Sequence, residues 1–192
     1  MEGIEGENMC KKKKIILVTD GDICAKRAIE IAAKNIGARC ISKTAGNPTP
    51  ISCEEIIELI NKTEYGPVIV MVDDEGNEGM GAGERIINEL SKEPSIEVLG
   101  IVVVASNMQQ VVGVCPDFSI DSSGNIIEGA VNKFGSSTND RVLYGDTVDI
   151  VGECKIPIVV GIGDIGKMHG RDDSRIGSPI ITKALQEIVN RS

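Results

Sequence analysis

Four aspartates stand directly after two apolar runs, at positions that a parallel sheet would bring together. Asp20 and Asp22 follow the run 15–18, and Asp73 and Asp74 follow the run 67–72. Ligands of open parallel sheets bind beyond the carboxyl ends of the strands, so both pairs are expected on one rim. Carboxylate oxygens suit Mg²⁺ and Ca²⁺, which makes these four aspartates the candidate metal ligands.

Two interpretations of this acidic rim are open. Asp20-Gly21-Asp22 before a helix resembles the Asp-x-Asp turn that holds catalytic Mg²⁺ in Toprim domains. That likeness favours a metal-dependent phosphotransfer or nucleotide-binding enzyme. The Toprim pattern also requires an upstream strand that ends in glutamate, whereas the strand before Asp20 is the first of the predicted fold. The other interpretation is that the acids cap helix N-termini and shape turns.

A glycine-rich loop after the apolar run 156–160 is the second candidate site. It satisfies both Gly-x-Gly-x-x-Gly and Gly-x-x-x-x-Gly-Lys, but Met168 stands where a phosphate loop needs Ser or Thr, and no helix pattern follows. A mononucleotide loop is therefore not predicted. Glycine-rich backbone beside basic side chains can still bind a carboxylate or phosphate, and the alternative is a tight turn with solvated or ion-paired side chains. The candidate ligand-binding residues are Gly161, Gly163, Asp164, Gly166, Lys167, His169 and Arg171.

The elements that must position these residues alternate between strand and helix. Apolar runs predict strands over 15–18, 39–42, 67–72 and 98–104. Helical spacing and caps predict helices between them over 25–36, 52–62 and 84–90. This alternation implies right-handed crossovers and a mostly parallel sheet.

The pattern loosens beyond residue 106. Segments 117–120 and 126–131 flank a turn at 121–125 and predict a β-hairpin, and 148–151 and 156–160 predict short strands. Ser178-Pro179 predicts the N-cap and first residue of a last helix that ends near Asn190. The predicted fold class is α/β: a single-domain, doubly wound, mostly parallel sheet with a β-hairpin excursion, Rossmann-like or Toprim-like.

The composition disfavours two kinds of function, nucleic-acid binding and zinc binding. A net charge of −9 disfavours nucleic acid as a partner, because phosphate binding needs clustered Lys and Arg. The six cysteines form no Cys-x-x-Cys and lie far in sequence from the single histidine, so a zinc site is not predicted. The basic run 11–14 can contact anionic lipid or another protein, although such runs are usually solvated flanks.

The ends and the apolar runs predict a soluble intracellular chain. The acidic N-terminus does not resemble a secretory signal, and no apolar run approaches the roughly 20 residues of a spanning helix. The expected organisation is a disordered lead over residues 1–12 and one α/β domain over residues 13–192.

A series of short motifs resembles the soluble form of stage V sporulation protein AE, the SpoVAEa family of endospore-forming bacteria. The block 160–173 is the most specific part, and the resemblance is weakest in the first ten residues and over 107–142. The matching segments are Val18-Thr19-Asp20-Gly21-Asp22, Ala25-Lys26-Arg27, Arg39-Cys40-Ile41-Ser42, Gly46-Asn47-Pro48-Thr49, Asp73-Asp74, Glu97-Val98-Leu99-Gly100, Gly145-Asp146-Thr147-Val148, Val160-Gly161-Ile162-Gly163-Asp164-Ile165-Gly166-Lys167-Met168 and Gly170-Arg171-Asp172-Asp173.

The resemblance implies a hydrophilic component of the SpoVA system, which moves calcium dipicolinate into the developing spore and takes part in its release during germination. It implies a non-enzymatic forespore protein, peripheral to the spore inner membrane, that docks on other SpoVA proteins or on the membrane surface. A homo-oligomer is left open. The resemblance brings no catalytic residues and establishes no cofactor. One hypothesis is that the acidic rim holds Ca²⁺, or Mg²⁺ in the enzymatic alternative, while the glycine loop holds dipicolinate carboxylates.

Overall fold

The computed structural model describes residues 11–75, 81–106 and 112–192. The first ten residues of the predicted N-terminal lead lie outside the described residues. The strands are β1 (Lys13–Val18), β2 (Arg39–Cys40), β3 (Val68–Met71), β4 (Ile96–Val104), β5 (Phe118–Ile120), β6 (Ile126–Ile127) and β7 (Val159–Ile162). The α-helices are α1 (Ile23–Asn35), α2 (Cys53–Asn61), α3 (Ala82–Lys92) and α4 (Pro179–Arg191).

Strand β1 is an interior strand of the seven-stranded sheet, whose order is β2-β3-β1-β4-β7-β5-β6. It pairs in parallel with β3 and β4, and β4 pairs in parallel with β7. Strands β2 and β5 also join the sheet in parallel, and β5 and β6 form an antiparallel hairpin. The predicted α/β class, with a mostly parallel sheet and a hairpin excursion, is confirmed.

The two faces of the sheet build two apolar layers. Successive side chains of a strand point to opposite faces. Accordingly, Ile16 and Val18 pack with α1 and α4, whereas Ile15 and Leu17 pack with α2 and α3. All four of these β1 side chains are fully buried. Each such burial stabilises the fold by about 1.5–3 kcal/mol, which explains why β-branched and leucine residues dominate the strands.

Four parallel strands end at one edge of the sheet, which we call the carboxyl edge. Val18 pairs with Met71 on one side and Val102 on the other, and Val104 pairs with Ile162. The loops that leave β1, β3, β4 and β7 therefore share this edge. The two candidate sites of the sequence lie in these loops.

Three predicted strands differ from the structure. The strand predicted over 39–42 ends at Cys40, and Ser42 begins a 3₁₀ turn, Ser42–Thr44. The segment 148–151 is part of a short 3₁₀ turn, Asp149–Gly152, because its amides bond locally, as in the hydrogen bond from Val151 N to Val148 O (3.1 Å). Its apolar side chains are buried in the core, so an apolar run was present without a strand. The strand predicted over 156–160 starts later, at Val159, after Pro157. Proline lacks the amide that a strand ladder requires.

The hairpin and the last helix also begin or end differently from the prediction. Strand β6 stops at Ile127, and the chain then turns at Gly129, which has a φ of 79°. Ser178 precedes α4 as predicted, but it has a left-handed backbone (φ 48°), and its side chain does not cap the helix. The capping function belongs to Asp172, described below.

Candidate functional site

Asp22 connects the first helix to the glycine loop. It is the N-cap of α1, where one carboxylate oxygen accepts hydrogen bonds from Cys24 N (2.7 Å) and Ala25 N (2.8 Å). The other oxygen accepts from Lys167 Nζ at 2.7 Å. A single carboxylate thus satisfies two helix-terminal amides and one ammonium group, which fixes its position at the carboxyl edge.

Three aspartates converge at the carboxyl edge, and Lys167 bonds two of them. Its ammonium group also bonds Asp164 Oδ1 at 3.0 Å, and one carboxylate oxygen from each of Asp20, Asp22 and Asp164 lies within 4.8 Å of the other two. We call these three residues the acidic triad. Asp20 and Asp22 come from the loop after β1, and Asp164 comes from the loop after β7. All three side chains are half-buried.

Burial and mutual repulsion perturb the ionisation of the triad. Burial, followed by the carboxylate of Asp22, raises the pKa of Asp20 from 3.8 to about 7. Burial opposes ionisation of Asp22 as well, but hydrogen bonds from Lys167 and from the α1 amides hold its pKa below the usual range. Burial also disfavours the charged form of Lys167, yet the bonds to Asp22 and Asp164 raise its pKa. Asp20 therefore changes its protonation state near neutral pH.

Asp73 and Asp74 lie at the same edge but hold backbone amides. Asp73 accepts hydrogen bonds from Gly21 N and Glu75 N, both at 3.1 Å, and it thereby fixes the loop that carries Asp20 and Asp22. Burial, together with the nearby Asp146, raises the pKa of Asp73 to about 6. The structure therefore places Asp73 as a support for the triad loop.

The carboxylate of Asp74 lies at the start of α3, where it accepts hydrogen bonds from Gly83 N and from Glu84 N (3.2 Å). Burial raises the pKa of this carboxyl group. Of the four predicted metal ligands, Asp20 and Asp22 are joined by Asp164, whereas Asp74 serves as a helix cap. Asp22 and Asp74 both cap helix N-termini, so the interpretation of the acids as caps applies to these two residues.

The glycines of the second candidate site are contact points with other parts of the chain. A Cβ atom on Gly163 would lie 2.6 Å from Gly135 N, and one on Gly166 would lie 2.8 Å from Cys24 O. A Cβ atom on Gly161 would collide with Ser119 Oγ. These glycines are required by close packing of backbone segments, which is a role independent of any phosphate.

The basic residues of the glycine loop have separate surroundings. Lys167 bonds the triad, His169 stacks on Phe134 with ring centroids 4.9 Å apart, and Arg171 is exposed. The segment after Lys167 is a short 3₁₀ turn, Met168–Gly170, with left-handed backbone at Met168 and His169. Neither nucleotide pattern is therefore followed by the helix whose N-terminus would bind phosphate.

Asp172 holds the glycine loop against the last helix, a role that its local sequence does not reveal. It is fully buried, and its carboxylate accepts hydrogen bonds from Gly166 N (3.0 Å), Ile180 N (2.8 Å) and Ile181 N (3.1 Å). Burial raises the pKa of its carboxyl group. The signal in the sequence was an acid a few residues before a Ser-Pro helix start, which is consistent with capping but did not distinguish it from its charged neighbours.

Among the described residues, no helix is both long enough and apolar enough to cross a membrane. A family model described as stage V sporulation protein AE1 (SpoVAE) matches residues 14–192 of the chain. The chain belongs to the SpoVAE family. The match includes the acidic triad, Lys167 and Asp172, so the whole site lies within the family region. No curated protein and no solved structure matches the chain.

Membership in the SpoVAE family gives the chain a role in sporulation. The resemblance identified from the motifs is confirmed by this match, which extends over the segments 107–142 where the motifs were weakest. The candidate site of this SpoVAE chain is thus a three-carboxylate cluster with one lysine, built on the carboxyl edge of a parallel sheet.

Proposed function

We propose that the chain is a hydrophilic, peripheral component of the SpoVA system that supports calcium dipicolinate uptake in sporulation, its release in germination, or both. The observation that carries the proposal is the SpoVAE match over residues 14–192. The described residues contain no membrane-crossing helix, so this member would act from the membrane surface or through other SpoVA proteins in the forespore. We propose no catalytic reaction for it.

The acidic triad is the proposed Ca²⁺ site of this component. Ca²⁺ prefers several oxygen ligands, and Asp20, Asp22 and Asp164 offer carboxylate oxygens within 4.8 Å of one another. The ammonium group of Lys167 bonds two of these carboxylates, so a cation that binds there competes with Lys167. Binding also requires Asp20 to lose its proton, and the affinity for Ca²⁺ should therefore increase as the pH rises through about 7.

The basic side chains beside the triad are the proposed contacts for dipicolinate carboxylates. Displacement by Ca²⁺ would free the ammonium group of Lys167, and His169 and Arg171 are exposed in the same loop. Calcium dipicolinate combines a divalent cation with an aromatic dicarboxylate, and both chemical types have complementary groups at this edge. Asp73 takes part indirectly, since its bond to Gly21 N holds the triad loop.

Titration calorimetry tests the ligand. The full chain is titrated with Ca²⁺, with dipicolinate and with their complex at pH 6 and pH 8. We expect tighter Ca²⁺ binding at pH 8 and a loss of binding in Asp164→Asn, with exposed Asp140→Asn as the control. The absence of heat with all three ligands at both pH values would refute the ligand assignment.

The role is tested in spores. Dipicolinate content, and its release on germination, are measured in spores that lack this chain. Low content indicates a role in uptake, and normal content with delayed release indicates a role in release. Wild-type content together with wild-type release would contradict the proposal.

A metal-dependent phosphotransfer enzyme is the second candidate, favoured by the position of three carboxylates at the carboxyl edge of a parallel sheet. It predicts Mg²⁺-dependent turnover of phosphate esters or nucleotides that disappears in Asp20→Asn and in Asp73→Asn. A panel of nucleotides and phosphate esters with Mg²⁺ separates the candidates, because the accessory component should turn over none of them.

A further inference from the structure

The amino-terminal edge of the sheet, opposite the acidic triad, carries a basic groove. Lysines 11–14 line one side, and Thr63, Glu64, Tyr65 and Gly66 line the other, around a volume of about 510 Å³. Four lysines thus face a single glutamate in a chain whose net charge is −9. The positive charge of this groove is a local feature that the overall charge conceals.

The groove has a defined shape because several of its parts are fixed. Lys13 Nζ donates a hydrogen bond to Thr63 O at 2.6 Å, which ties the lysine segment to the loop that precedes β3. The guanidinium carbon of Arg39 lies 4.9 Å from the centre of the Tyr65 ring, so a fifth cation borders the groove. Lys12 and Lys14 are exposed, and their charges face solvent.

The basic groove and the acidic triad lie at opposite ends of β1. Strand β1 runs from Lys13 to Val18, and its six residues span about 20 Å, with Asp20 two residues beyond its end. That distance exceeds two Debye lengths at physiological ionic strength, which are about 8 Å each. An anionic surface at the groove is therefore largely screened from the repulsion of the triad.

We propose that the basic groove docks the chain on an anionic phospholipid bilayer. This inference rests on the proposed peripheral role and adds the surface that would perform it. Clustered lysines attract anionic headgroups, and tyrosine is favoured at membrane interfaces; the Tyr65 side chain is 62% exposed between the lysines and Arg39. In this orientation the acidic triad faces away from the bilayer. A soluble or protein-bound ligand can then reach the triad.

Vesicle co-sedimentation of the full chain tests the proposal. We expect binding to phosphatidylglycerol vesicles but not to phosphatidylcholine vesicles, with weaker binding at higher salt. Each lysine near an anionic surface contributes about fivefold to binding, so Lys12→Gln/Lys14→Gln should lose roughly 25-fold. The control, Lys43→Gln/Arg141→Gln, removes the same charge from exposed positions elsewhere and should lose far less. Equal losses in the two variants, or equal binding to both vesicles, would overturn the proposal.

Two further arms distinguish other occupants of the groove. Saturable binding of inorganic phosphate in calorimetry, without vesicle binding, would identify a small-anion site and overturn the proposal. Glu2, Glu5 and Glu7 precede the lysines in sequence. Vesicle binding that appears only after all three are changed to Gln would mean that the chain's own acidic segment fills the groove. A wild-type chain that binds no vesicles, although spores without it have altered dipicolinate content or release, would refute docking on lipid while leaving the proposed role intact.

Discussion

Asp20→Asn should stabilise the fold at neutral and alkaline pH, although it removes a group from the candidate site. The folded chain holds the proton of Asp20 up to a pKa of about 7, whereas the unfolded chain releases it near 3.8. A difference of about three pKa units corresponds to roughly 4 kcal/mol. Because the Asp20 side chain is only half-buried, solvent screening reduces this to about 1–3 kcal/mol.

The direction of the pH dependence follows from the raised pKa of Asp20. Between pH 4 and pH 7 the folded chain binds more protons at this site than the unfolded chain, so the free energy of unfolding falls as the pH rises. Asparagine does not ionise, so the free energy of unfolding of the variant does not fall with pH at this position. Its side-chain oxygen can still accept the hydrogen bond from Asp22 N (3.1 Å). The gain should be small at pH 4 and complete above pH 7.

Chemical denaturation of Asp20→Asn and of the wild-type chain at pH 4, 6 and 8 measures this gain directly. Exposed Asp140→Asn serves as the control and should show no comparable change. A gain of the same size at pH 4 and pH 8 would contradict the argument, as would a loss of stability at pH 8. Added Ca²⁺ should reduce or reverse the gain, since the wild-type chain alone would then have the complete acidic triad.

Three other substitutions test the surroundings of the site. Asp172→Ala leaves three amides, two of them buried, without an acceptor and should lower the free energy of unfolding by about 3 kcal/mol or more in chemical denaturation, against a smaller loss in Asp172→Asn. Lys167→Met removes the ammonium group that bonds two carboxylates, so the pKa of Asp22 should rise in a carboxyl NMR titration, and an unchanged pKa would contradict the geometry. Gly163→Ala should destabilise the chain by about 1–3 kcal/mol, whereas Gly152→Ala, with no neighbour within 4 Å, should not; equal effects would refute the packing argument.

The apolar runs were enough to predict the sheet but insufficient for its irregular part. The runs that lead to Asp20 and Asp73 are short, β-branched and bounded by turn residues, and both are parallel strands of the structure. The run 148–151 is also β-branched and mostly apolar, with Asp149 as its one charged residue, yet it is a 3₁₀ turn whose apolar side chains fill the core. An apolar run indicates that its side chains are buried. Whether it forms a strand or a turn depends on the hydrogen-bond partners that its backbone finds.

The membership of the acidic triad depended on long-range contacts that local patterns do not contain. Asp164 was recognised as part of a glycine loop, but its position beside Asp22 follows from the pairing of β7 with β4, which no local pattern specifies. Asp74 stands three residues after the end of β3, nearly as close as Asp20 stands to the end of β1, but its hydrogen bonds to the start of α3 make it a helix cap. Local sequence therefore identified the edge and most of the acids, while tertiary pairing sorted their roles.

The most direct test asks whether the acidic triad is required for dipicolinate content and release in spores. Spores whose only copy of the chain carries Asp22→Asn/Asp164→Asn are assayed for dipicolinate content and release beside wild-type spores and spores without the chain, with the amount of protein checked by immunoblot. Asparagine retains the N-cap of α1, so the fold should survive. We expect the variant spores to behave like spores without the chain. Wild-type content and release in the variant would contradict the assignment of the acidic triad as the functional site.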